Sequence, residues 1–464
     1  MTALHPDRLF PADTTTRAIA RQLYEGVQSL PIVSPHGHTD PLWWGENPAF
    51  PDPTALVVTP DHYVTRMLVS QGVSFEELGI GAEADPRAVW RLFAKHYDLF
   101  LGTPSRLWLD HAFAEVFGIA TPLSKATADD IYDAIAEKLA DPAYRPRALY
   151  DRFGIEVIAT TDSPLDDLAH HQTVLDADWT GRVIPTYRPD PCVDPDFPGF
   201  RKNVERLGAL TGCDVSRWQG YLEAHRKRRG VFKSMGATAT DHGHPTAATL
   251  DLPEGQASAV YQRIIRGHAV PGDAETFRAQ MLTEMARMSI EDGLVMQLHA
   301  GAVRNHHGGV HRRHGRDRGF DIPARTDFVN GSRALLNAVG MDARLTLILF
   351  TLDESTYARE LAPLAGAYPC LRLGPPWWFH DSYEGMMRFR QQATETAGFA
   401  NLAGFNDDTR ALCSIPARHD VARRVDCAHL ASLVTTHRLD EAAAHALAPK
   451  LAVGLARDAY NLDT

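Results

Sequence analysis

Two histidines separated by a single residue are the first pattern in the sequence that suits a catalytic or metal-binding site. His36 and His38 directly follow the apolar run "PIV". Residues i and i+2 of a strand project to the same face, so a strand over residues 31–38 would present both imidazoles on one side. Neutral imidazoles bind divalent transition metals, although two hydrogen-bonded histidines beside a turn have the same spacing.

Further metal-ligand residues occur where two later apolar runs end. His299 closes the run "LVMQLHAG", and Asp407 and Asp408 lie in "NLAGFNDDTR". Three histidines and one carboxylate form a mononuclear site that leaves a position for an exogenous oxygen ligand. The sequence therefore predicts one bound divalent metal ion, with zinc as the expected ion. No GxGxxG fingerprint follows a predicted strand, so no nucleotide cofactor is expected.

Arginines also follow several of these runs. Arg188 lies in "PTYRPD", Arg304 in "HAGAVRN" and Arg410 in "NDDTR". Each one alone would be an ordinary surface charge, but the chain carries a net charge of −11. Three guanidinium groups at one site of an acidic protein indicate binding of an anion, and a carboxylate matches their planar fork.

Two more pairs of residues extend the candidate site. Asp241 and His242 of "TDHG" end the fourth apolar run and suit acid/base or hydroxyl-binding roles. Trp377 and Trp378 of "GPPWWFHD" either pack in the core or stack on a sugar ring, and both alternatives stay open.

A histidine-rich segment, residues 304–319, superficially resembles a metal-binding tract. Its sequence "RNHHGGVHRRHGRDRG" combines glycines with five arginines, which is typical of a solvated loop. We therefore predict no metal ligation by its histidines, which are His306, His307, His311 and His314.

The elements that must position these residues alternate between short apolar runs and helical patterns. Alternation of strands and helices indicates a parallel sheet, and eight repeats favour a closed (β/α)8 barrel over an open doubly wound sheet. In such a barrel all the carboxyl ends of the strands meet at one mouth. The predicted strands span residues 31–38, 155–162, 182–189, 231–242, 294–301, 344–351, 370–378 and 401–410.

One segment interrupts the alternation. Residues 55–150 contain amphipathic helical patterns such as "PRAVWRLFAKHYDLF" but no convincing strand. We predict a helical insertion after the first strand that covers the barrel mouth, within a single domain over residues 1–464.

Composition narrows the protein class. No basic block indicates nucleic-acid binding, and no apolar run reaches the roughly 18 residues of a membrane span. The start of the chain lacks the pattern of an export signal, and the five cysteines show no CxxC spacing. We predict a reduced, cytoplasmic enzyme, and its oligomeric state stays open between a monomer and a homo-oligomer.

Taken together, the motifs resemble the uronate isomerase family, also called glucuronate isomerase, a divergent branch of the amidohydrolase superfamily. The resemblance implies a distorted (β/α)8 barrel that interconverts D-glucuronate with D-fructuronate, and D-galacturonate with D-tagaturonate, in hexuronate catabolism. The matching stretches are "HGHTDP", "DHYVTR", "HAFAEVFGI", "ATTDSP", "PTYRPD", "TDHG", "MQLHAGAVRN", "RGFD", "GPPWWFHDSYEGM" and "DDTR" followed by "ARHDVARR".

The resemblance also implies roles for individual residues. Asp408 joins the three histidines as a metal ligand, and the three arginines contact the substrate. Tyr63 of "DHYVTR" matches a tyrosine of the inserted segment that reaches the site. The expected reaction is proton transfer through a cis-enediol, with Asp408 as the base at C2 and Tyr63 as the partner acid/base at the C1 side. His62 and His242 are alternatives for the partner role.

The chain departs from the family pattern at several positions. Asp407 stands where the family usually has threonine, "RNHHGG" replaces an asparagine-rich run, and "GPPWW" carries prolines where glycine and serine are usual. These departures concern local loop geometry.

A metal-dependent amidohydrolase acting on a small carboxylate-bearing amide or lactone is the alternative on the same scaffold. Two-metal hydrolases of the superfamily use a modified lysine after the fourth strand and a histidine after the sixth. Here the fourth run ends in Asp241-His242 and the sixth in Thr351-Leu352-Asp353, which favours one metal and the isomerase. A non-catalytic sugar-acid-binding protein conflicts with the pooled titratable groups.

Overall fold

Seven parallel strands form one curled sheet in the computed structural model, which describes residues 4–462. The strands are hydrogen-bonded in the order β1, β2, β3, β4, β5, β8, β9, and β6 and β7 form a separate antiparallel pair. Their bounds are β1 Ile32–Ser34, β2 Ile155–Asp162, β3 Arg182–Tyr187, β4 Ala239–His242, β5 Val295–His299, β6 Ala302–Val303, β7 Ile322–Pro323, β8 Leu347–Phe350 and β9 Leu371–Leu373.

The predicted eighth strand, residues 401–410, closes the barrel but is not a regular strand. On one side it forms a single parallel bridge between Leu402 and Leu373 of β9. On the other side Asp408 N–H donates to the His36 carbonyl at 3.3 Å. The backbone has positive φ at Gly404 (77°) and at Asp408 (41°), and such residues cannot continue an extended ladder. The result is the distorted (β/α)8 barrel that the sequence predicts.

Six of the other seven predicted strands are shorter in the structure, and the first and the fourth differ most in what they position. β1 ends at Ser34, so His36 and His38 lie in the loop that follows it and not on the strand. The segment predicted as strand from residue 231 begins as the end of a helix that extends to Ser234. That helix continues because Phe232 is fully buried on its inner face.

Helices surround the sheet. The segment between β1 and β2 contains helices and no strand within the described chain. Before β1 lies α1 (Thr14–Glu25). Between β1 and β2 lie α2 (Pro41–Glu46), α3 (Pro53–Val57), α4 (His62–Ser70), α5 (Pro86–Lys95), α6 (Pro104–His111), α7 (Ala128–Leu139) and α8 (Pro146–Arg152).

The remaining helices follow the strands in the usual alternation. They are α9 (Ala169–Leu175), α10 (Asp190–Val193), α11 (Phe200–Thr211), α12 (Trp218–Ser234), α13 (Glu254–Ile265), α14 (Asp273–Asp292), α15 (Gly308–His314), α16 (Phe328–Gly331), α17 (Arg333–Val339), α18 (Ala362–Ala365), α19 (Tyr383–Ala397), α20 (Ile415–Thr435), α21 (Glu441–Pro449) and α22 (Leu455–Ala459). Single 3₁₀ or π turns lie at Tyr97–Phe100, Ala112–Val116, Pro142–Tyr144, Tyr357–Leu361, Trp378–His380, Leu412–Ser414 and Lys450–Gly454.

The apolar core divides according to these layers. Inward-facing strand residues such as Val157, Ile184 and Ile348 pack in one cluster with Leu451 and Tyr460 near the carboxyl terminus. The helices between β1 and β2 share a second cluster that includes Trp90 and Phe93. The same cluster includes Ile32, Ile155 and Val183 of the strands, so the segment packs on the barrel, while its description as an insertion over the mouth stays a prediction. No helix in residues 4–462 is both long and apolar enough to cross a membrane.

Candidate active site

A cavity of about 540 Å³ lies at the carboxyl ends of the barrel strands. Most residues that the sequence singles out line it, although they come from separate parts of the chain. The lining includes His36, His38, His62, Tyr63, Arg188, His299, Arg304, Trp377, Trp378, Asp408 and Arg410. Asp241 and His242 do not line it.

The loop after β1 is joined to the eighth segment by a backbone hydrogen bond and to β2 by a side-chain hydrogen bond. His38 N–H donates to the Thr409 carbonyl at 3.0 Å, and Thr161 Oγ1 donates to the Gly37 carbonyl at 2.8 Å. These bonds fix the two histidines beside Asp408 without a regular strand.

Three of the predicted metal ligands converge. One ligand atom from each of His36, His299 and Asp408 lies within 4.8 Å of the others. His38 belongs to the same cluster through its Nε2, which lies 3.0 Å from Asp408 Oδ1, while His36 Nε2 lies 3.4 Å from that oxygen. We call these four residues the mouth cluster.

The mouth cluster has the properties of a cation site. His299 Nε2 and Asp408 Oδ1 are buried and lack a hydrogen-bond partner. An unpartnered buried polar atom is costly, and a divalent cation satisfies imidazole nitrogen and carboxylate oxygen together. The residues therefore fit one divalent metal, and nothing in their types distinguishes zinc from its neighbours in the transition series.

Asp241 supports this cluster from below. Its Oδ1 lies 2.6 Å from His299 Nδ1, which leaves Nε2 of that histidine directed at the cluster. Its Oδ2 lies 2.9 Å from Arg188 Nη1. Burial by itself raises the pKa of Asp241, but Arg188 and then His299 outweigh burial and hold this pKa well below its ordinary range. The sequence predicts a direct contact of Asp241 with the substrate. The position of Asp241 does not support this contact, because its side chain is fully buried.

His242 points away from the cavity because adjacent strand residues face opposite sides of a sheet. Its Nε2 lies 3.1 Å from Thr240 Oγ1, which shares its face of β4. The predicted roles of His242 in substrate binding and in acid/base chemistry therefore do not follow from the structure either.

Asp408 adopts a left-handed backbone conformation, with φ of 41°. Such a conformation costs free energy for a residue with a side chain and persists where the surroundings enforce it. Trp378 (φ 48°) and Asp317 (φ 59°) share this property, and all three residues line the cavity. Three of the nine non-glycine residues with positive φ in residues 4–462 therefore lie at the cavity wall.

Each of the three predicted arginines already forms an ion pair. Arg188 Nε donates to Asp190 Oδ2 at 2.8 Å, in addition to its contact with Asp241. The other two pairs join Arg304 to Asp321 at 2.9 Å and Arg410 to Asp317 at 3.1 Å.

The two loop pairs differ in exposure. The Asp321 side chain is 10% exposed, whereas the side chains of Arg410 and Asp317 are 37% and 44% exposed. The Arg410 pair is therefore the one most open to exchange with an incoming anion.

Tyr63 and His62 occupy the first turn of α4. Asp61 caps this helix by accepting from Tyr63 N–H at 2.8 Å, so the helix begins at the cavity. Burial raises the pKa of Tyr63 well above its ordinary value, with nearby Arg418 opposing the shift, so the phenol is protonated at neutral pH. Burial and the charge of Arg410 lower the pKa of His62 to about 3, which makes its imidazole neutral.

The two tryptophans have different surroundings. Trp377 is 4% exposed and packs edge-on against His299, with ring centroids 4.7 Å apart. The guanidinium carbon of Arg304 lies 4.9 Å from the ring centroid of Trp378. Both therefore combine packing with a place in the cavity wall.

The histidine-rich segment contributes Asp317 to the cavity wall, and Asp321 of the wall lies two residues beyond the segment. His307 Nδ1 accepts from Val310 N–H at 3.1 Å and caps α15, and His314 packs on Phe75. Within residues 4–462 the one grouping with metal-ligand geometry is in the mouth cluster. Asp317 and Asp321 were missed by sequence reasoning, although "RGFD" was among the matching motifs.

Comparisons with known proteins agree with one another. The sequence pattern of the glucuronate isomerase family matches residues 12–451. A uronate isomerase of Rhizorhabdus wittichii is 62% identical over 99% of this chain and 98% of its own length. The crystal structure of glucuronate isomerase from Caulobacter crescentus superimposes with a TM-score of 0.98 at 55% identity, covering 100% of this chain and 98% of that chain. Uronate isomerase from Thermotoga maritima superimposes with a TM-score of 0.93 at 29% identity, covering 99% and 100%.

Proposed function

We propose how the cavity residues act, on the premise that the chain belongs to the glucuronate isomerase family and is a uronate isomerase. The substrates we propose are D-glucuronate and D-galacturonate, converted to D-fructuronate and D-tagaturonate. The observation that carries the proposal is the convergence of the mouth cluster with a phenol and with several guanidinium groups around one cavity. A uronate in its aldose form has a carbonyl group and a carboxylate. The mouth cluster and the phenol suit polarisation of the carbonyl, and the guanidinium groups suit binding of the carboxylate.

Substrate capture begins with the carboxylate. Arg188, Arg304 and Arg410 form the cationic side of the cavity, with Arg410 as the principal clamp. An incoming carboxylate replaces Asp317 on Arg410, because that pair is the most exposed of the three. Arg188 stays bound to Asp241 and positions the mouth cluster from behind.

A divalent metal held by His36, His38, His299 and Asp408 would supply polarisation of the substrate carbonyl when bound, with zinc as the proposed ion. Asp241 fixes the tautomer of His299 through the 2.6 Å contact at Nδ1. The indole of Trp377 restricts the same imidazole ring from the side.

The chemical step we propose is a proton transfer through a cis-enediol. Asp408 removes the proton from C2, and the electron pair of that C–H bond forms the double bond between C2 and C1. The carbonyl oxygen at C1 gains a proton from the Tyr63 phenol, which completes the enediol. In the second half the Asp408 carboxyl group, after its proton has exchanged with water, donates a proton to C1, and Tyr63 regains a proton from the hydroxyl at C2. Nothing is oxidised overall, so no nicotinamide is required.

His62 is the alternative to Tyr63 as the partner acid/base. Its ring stacks on Tyr63 with centroids 4.7 Å apart, and its Nδ1 is buried without a hydrogen-bond partner. The low pKa of His62 makes it a poor proton donor at neutral pH, which favours Tyr63 for donation.

The metal-dependent hydrolase is the competing function, and it is not favoured by the family or by the relatives. Incubation with D-glucuronate and, separately, with N-acyl amino acids and lactones distinguishes the two. We expect ketose from the uronate and no hydrolysis. Hydrolysis without ketose formation would reverse the assignment. A cytoplasmic location, with no nucleic-acid or membrane partner, stays a prediction, and so does the oligomeric state.

A further inference from the structure

A fourth arginine that sequence reasoning left without a role lines the same cavity. Arg66 lies in α4, four residues after His62, and residues at this spacing share one face of a helix. Both side chains accordingly line the cavity. The face of α4 that carries the proposed partner residues thus carries a guanidinium one turn further on.

The surroundings of Arg66 hold its side chain in place. Its guanidinium carbon lies 4.7 Å from the ring centroid of Phe379, a cation–π arrangement on an aromatic platform. Its Cβ packs against Gly319, where an added Cβ would lie 2.5 Å away. Gly319 has φ of 79°, so the close approach depends on a glycine in the "RGFD" motif.

The Nε of Arg66 is buried and makes no hydrogen bond. Among residues 4–462 no carboxylate forms an ion pair with its guanidinium, and Asp61 acts on it only through its charge. This separates it from the three arginines of the cationic side, each of which already holds an aspartate. Burial accordingly lowers the pKa of Arg66. A guanidinium with an unpartnered, buried Nε gains more from an incoming anion than one that must first release a carboxylate.

We infer that Arg66 binds the carboxylate of the uronate substrate, opposite Arg410. The inference rests on the proposed function and adds a specificity-determining residue to it. The geometry behind it is a guanidinium fixed on Phe379, with an unpartnered Nε, in the wall of the substrate cavity. His62 experiences the charges of both Arg410 and Arg66, which places the two guanidinium groups around one part of the cavity.

The test compares ligands that differ only at the carboxylate. We expect Arg66→Gln to raise KM for D-glucuronate and lower kcat/KM by roughly 30- to 1000-fold, as for loss of a charge-assisted fork. The inhibition constant of D-glucuronamide, which lacks the charge, should stay within about threefold of the wild-type value. Arg66→Lys should recover only part of the loss, because an ammonium does not reproduce the planar fork.

Arg152→Gln is the matched control. Arg152 is an exposed arginine outside the cavity lining whose guanidinium carbon lies 5.4 Å from the ring centroid of Tyr144, and its loss should leave the uronate KM within about threefold of wild type. If Arg66→Gln fails to fold, Arg66→Ala with added guanidinium chloride provides a second test, and we expect partial recovery of turnover of D-glucuronate.

The outcomes separate the two proposals. Wild-type KM for D-glucuronate in Arg66→Gln, or an equal loss for D-glucuronate and D-glucuronamide, would overturn the inference about Arg66. Absence of ketose from the wild-type enzyme would instead overturn the proposed function.

Discussion

Two groups of buried histidines in this protein differ in a way that shows what makes a metal site. The mouth cluster lies at the cavity, whereas His225, His242 and His244 lie on the outer side of β4, and we call these three the outer cluster. All three are at most 5% exposed, and each has a ring nitrogen without a hydrogen-bond partner. Histidine content and burial therefore do not separate the two regions.

Convergence on a carboxylate does separate them. In the mouth cluster Asp408 Oδ1 lies within 3.4 Å of both His36 and His38. In the outer cluster the contacts are with hydroxyl groups: His225 Nδ1 lies 2.7 Å from the Tyr187 hydroxyl and His242 Nε2 lies near Thr240. Burial lowers the pKa values of His225 and His242 to about 3, so both are neutral, structural side chains.

The largest expected effect comes from the carboxylate that distinguishes the mouth cluster. Asp408→Asn should lower turnover by roughly 100- to 10,000-fold, because an amide accepts no proton from C2. Steady-state kinetics together with metal analysis checks this, and the loss should persist in protein that retains metal. Full activity of Asp408→Asn would remove Asp408 as the base.

Asp407→Asn is the control for that variant. Asp407 is buried with its Oδ2 3.1 Å from His419 Nε2, so its loss acts through local packing. We expect a loss below about tenfold. A loss as large as that of Asp408→Asn would show that Asp408 is not distinguished from Asp407 as the reaction base.

Metal content provides the next contrast between the two regions. The double variant His36→Ala/His38→Ala should bind metal at least roughly 100-fold more weakly. It loses two metal ligands, and loss of a ligand weakens metal binding more than loss of a hydrogen bond that supports a ligand. His242→Gln in the outer cluster should retain the wild-type stoichiometry. Elemental analysis of purified proteins measures both, and stoichiometric metal in the double variant would refute the assignment.

Removal of the proposed carboxylate clamp should have a smaller effect. Arg410→Ala should lower kcat/KM for D-glucuronate by roughly 30- to 1000-fold through loss of a charge-assisted contact. Arg410→Lys should also be impaired, because an ammonium lacks the planar fork. Wild-type kinetics in Arg410→Ala would exclude this residue from substrate binding.

The smallest expected effect concerns stability in the outer cluster. His242 has a folded-state pKa of about 3 and an ordinary unfolded value near 6.5, so protonation favours the unfolded chain. Neutral His242 therefore contributes its full share to the free energy of unfolding above pH 6.5. This share is lost as the pH falls from 6.5 towards 3. Between pH 6.5 and 5 this amounts to about 2 kcal/mol.

Urea unfolding of wild type and His242→Gln at several pH values measures this contribution. The variant should lose less stability than wild type over that range, by about that 2 kcal/mol. Parallel pH dependences would show that His242 titrates normally in the folded protein.

Sequence reasoning located the mouth cluster because of a property of the fold. The strands alternate with helices, so their carboxyl ends share one mouth, and His36, His299 and Asp408 could be expected to meet. The hydrogen bonds that hold His36 and His38 in place could not be predicted from the sequence. β1 ends at Ser34, and the two histidines depend on hydrogen bonds to the eighth segment, whose positive-φ residues give no pattern signal.

Residue roles that depend on side-chain direction were also beyond the sequence. In a strand of four residues a shift by one position exchanges the cavity side and the outer side, and Asp241 and His242 are adjacent. Asp317, which pairs with Arg410, comes from a segment whose composition indicated only solvent exposure, and Asp321, which pairs with Arg304, lies two residues beyond that segment. The pair of Arg410 with Asp317 depends on a tertiary contact between distant segments.

The chemistry assigned to the mouth cluster has one most direct test. D-glucuronate and D-galacturonate are each converted by the enzyme in deuterated water, and the ketose is analysed by NMR. Proton transfer through an enediol exchanges with solvent, so we expect deuterium at C1 of the product. Complete retention of the substrate hydrogen at C1 would contradict a proton transfer by Asp408 that exchanges with solvent, and would indicate a hydride shift or a fully shielded transfer instead.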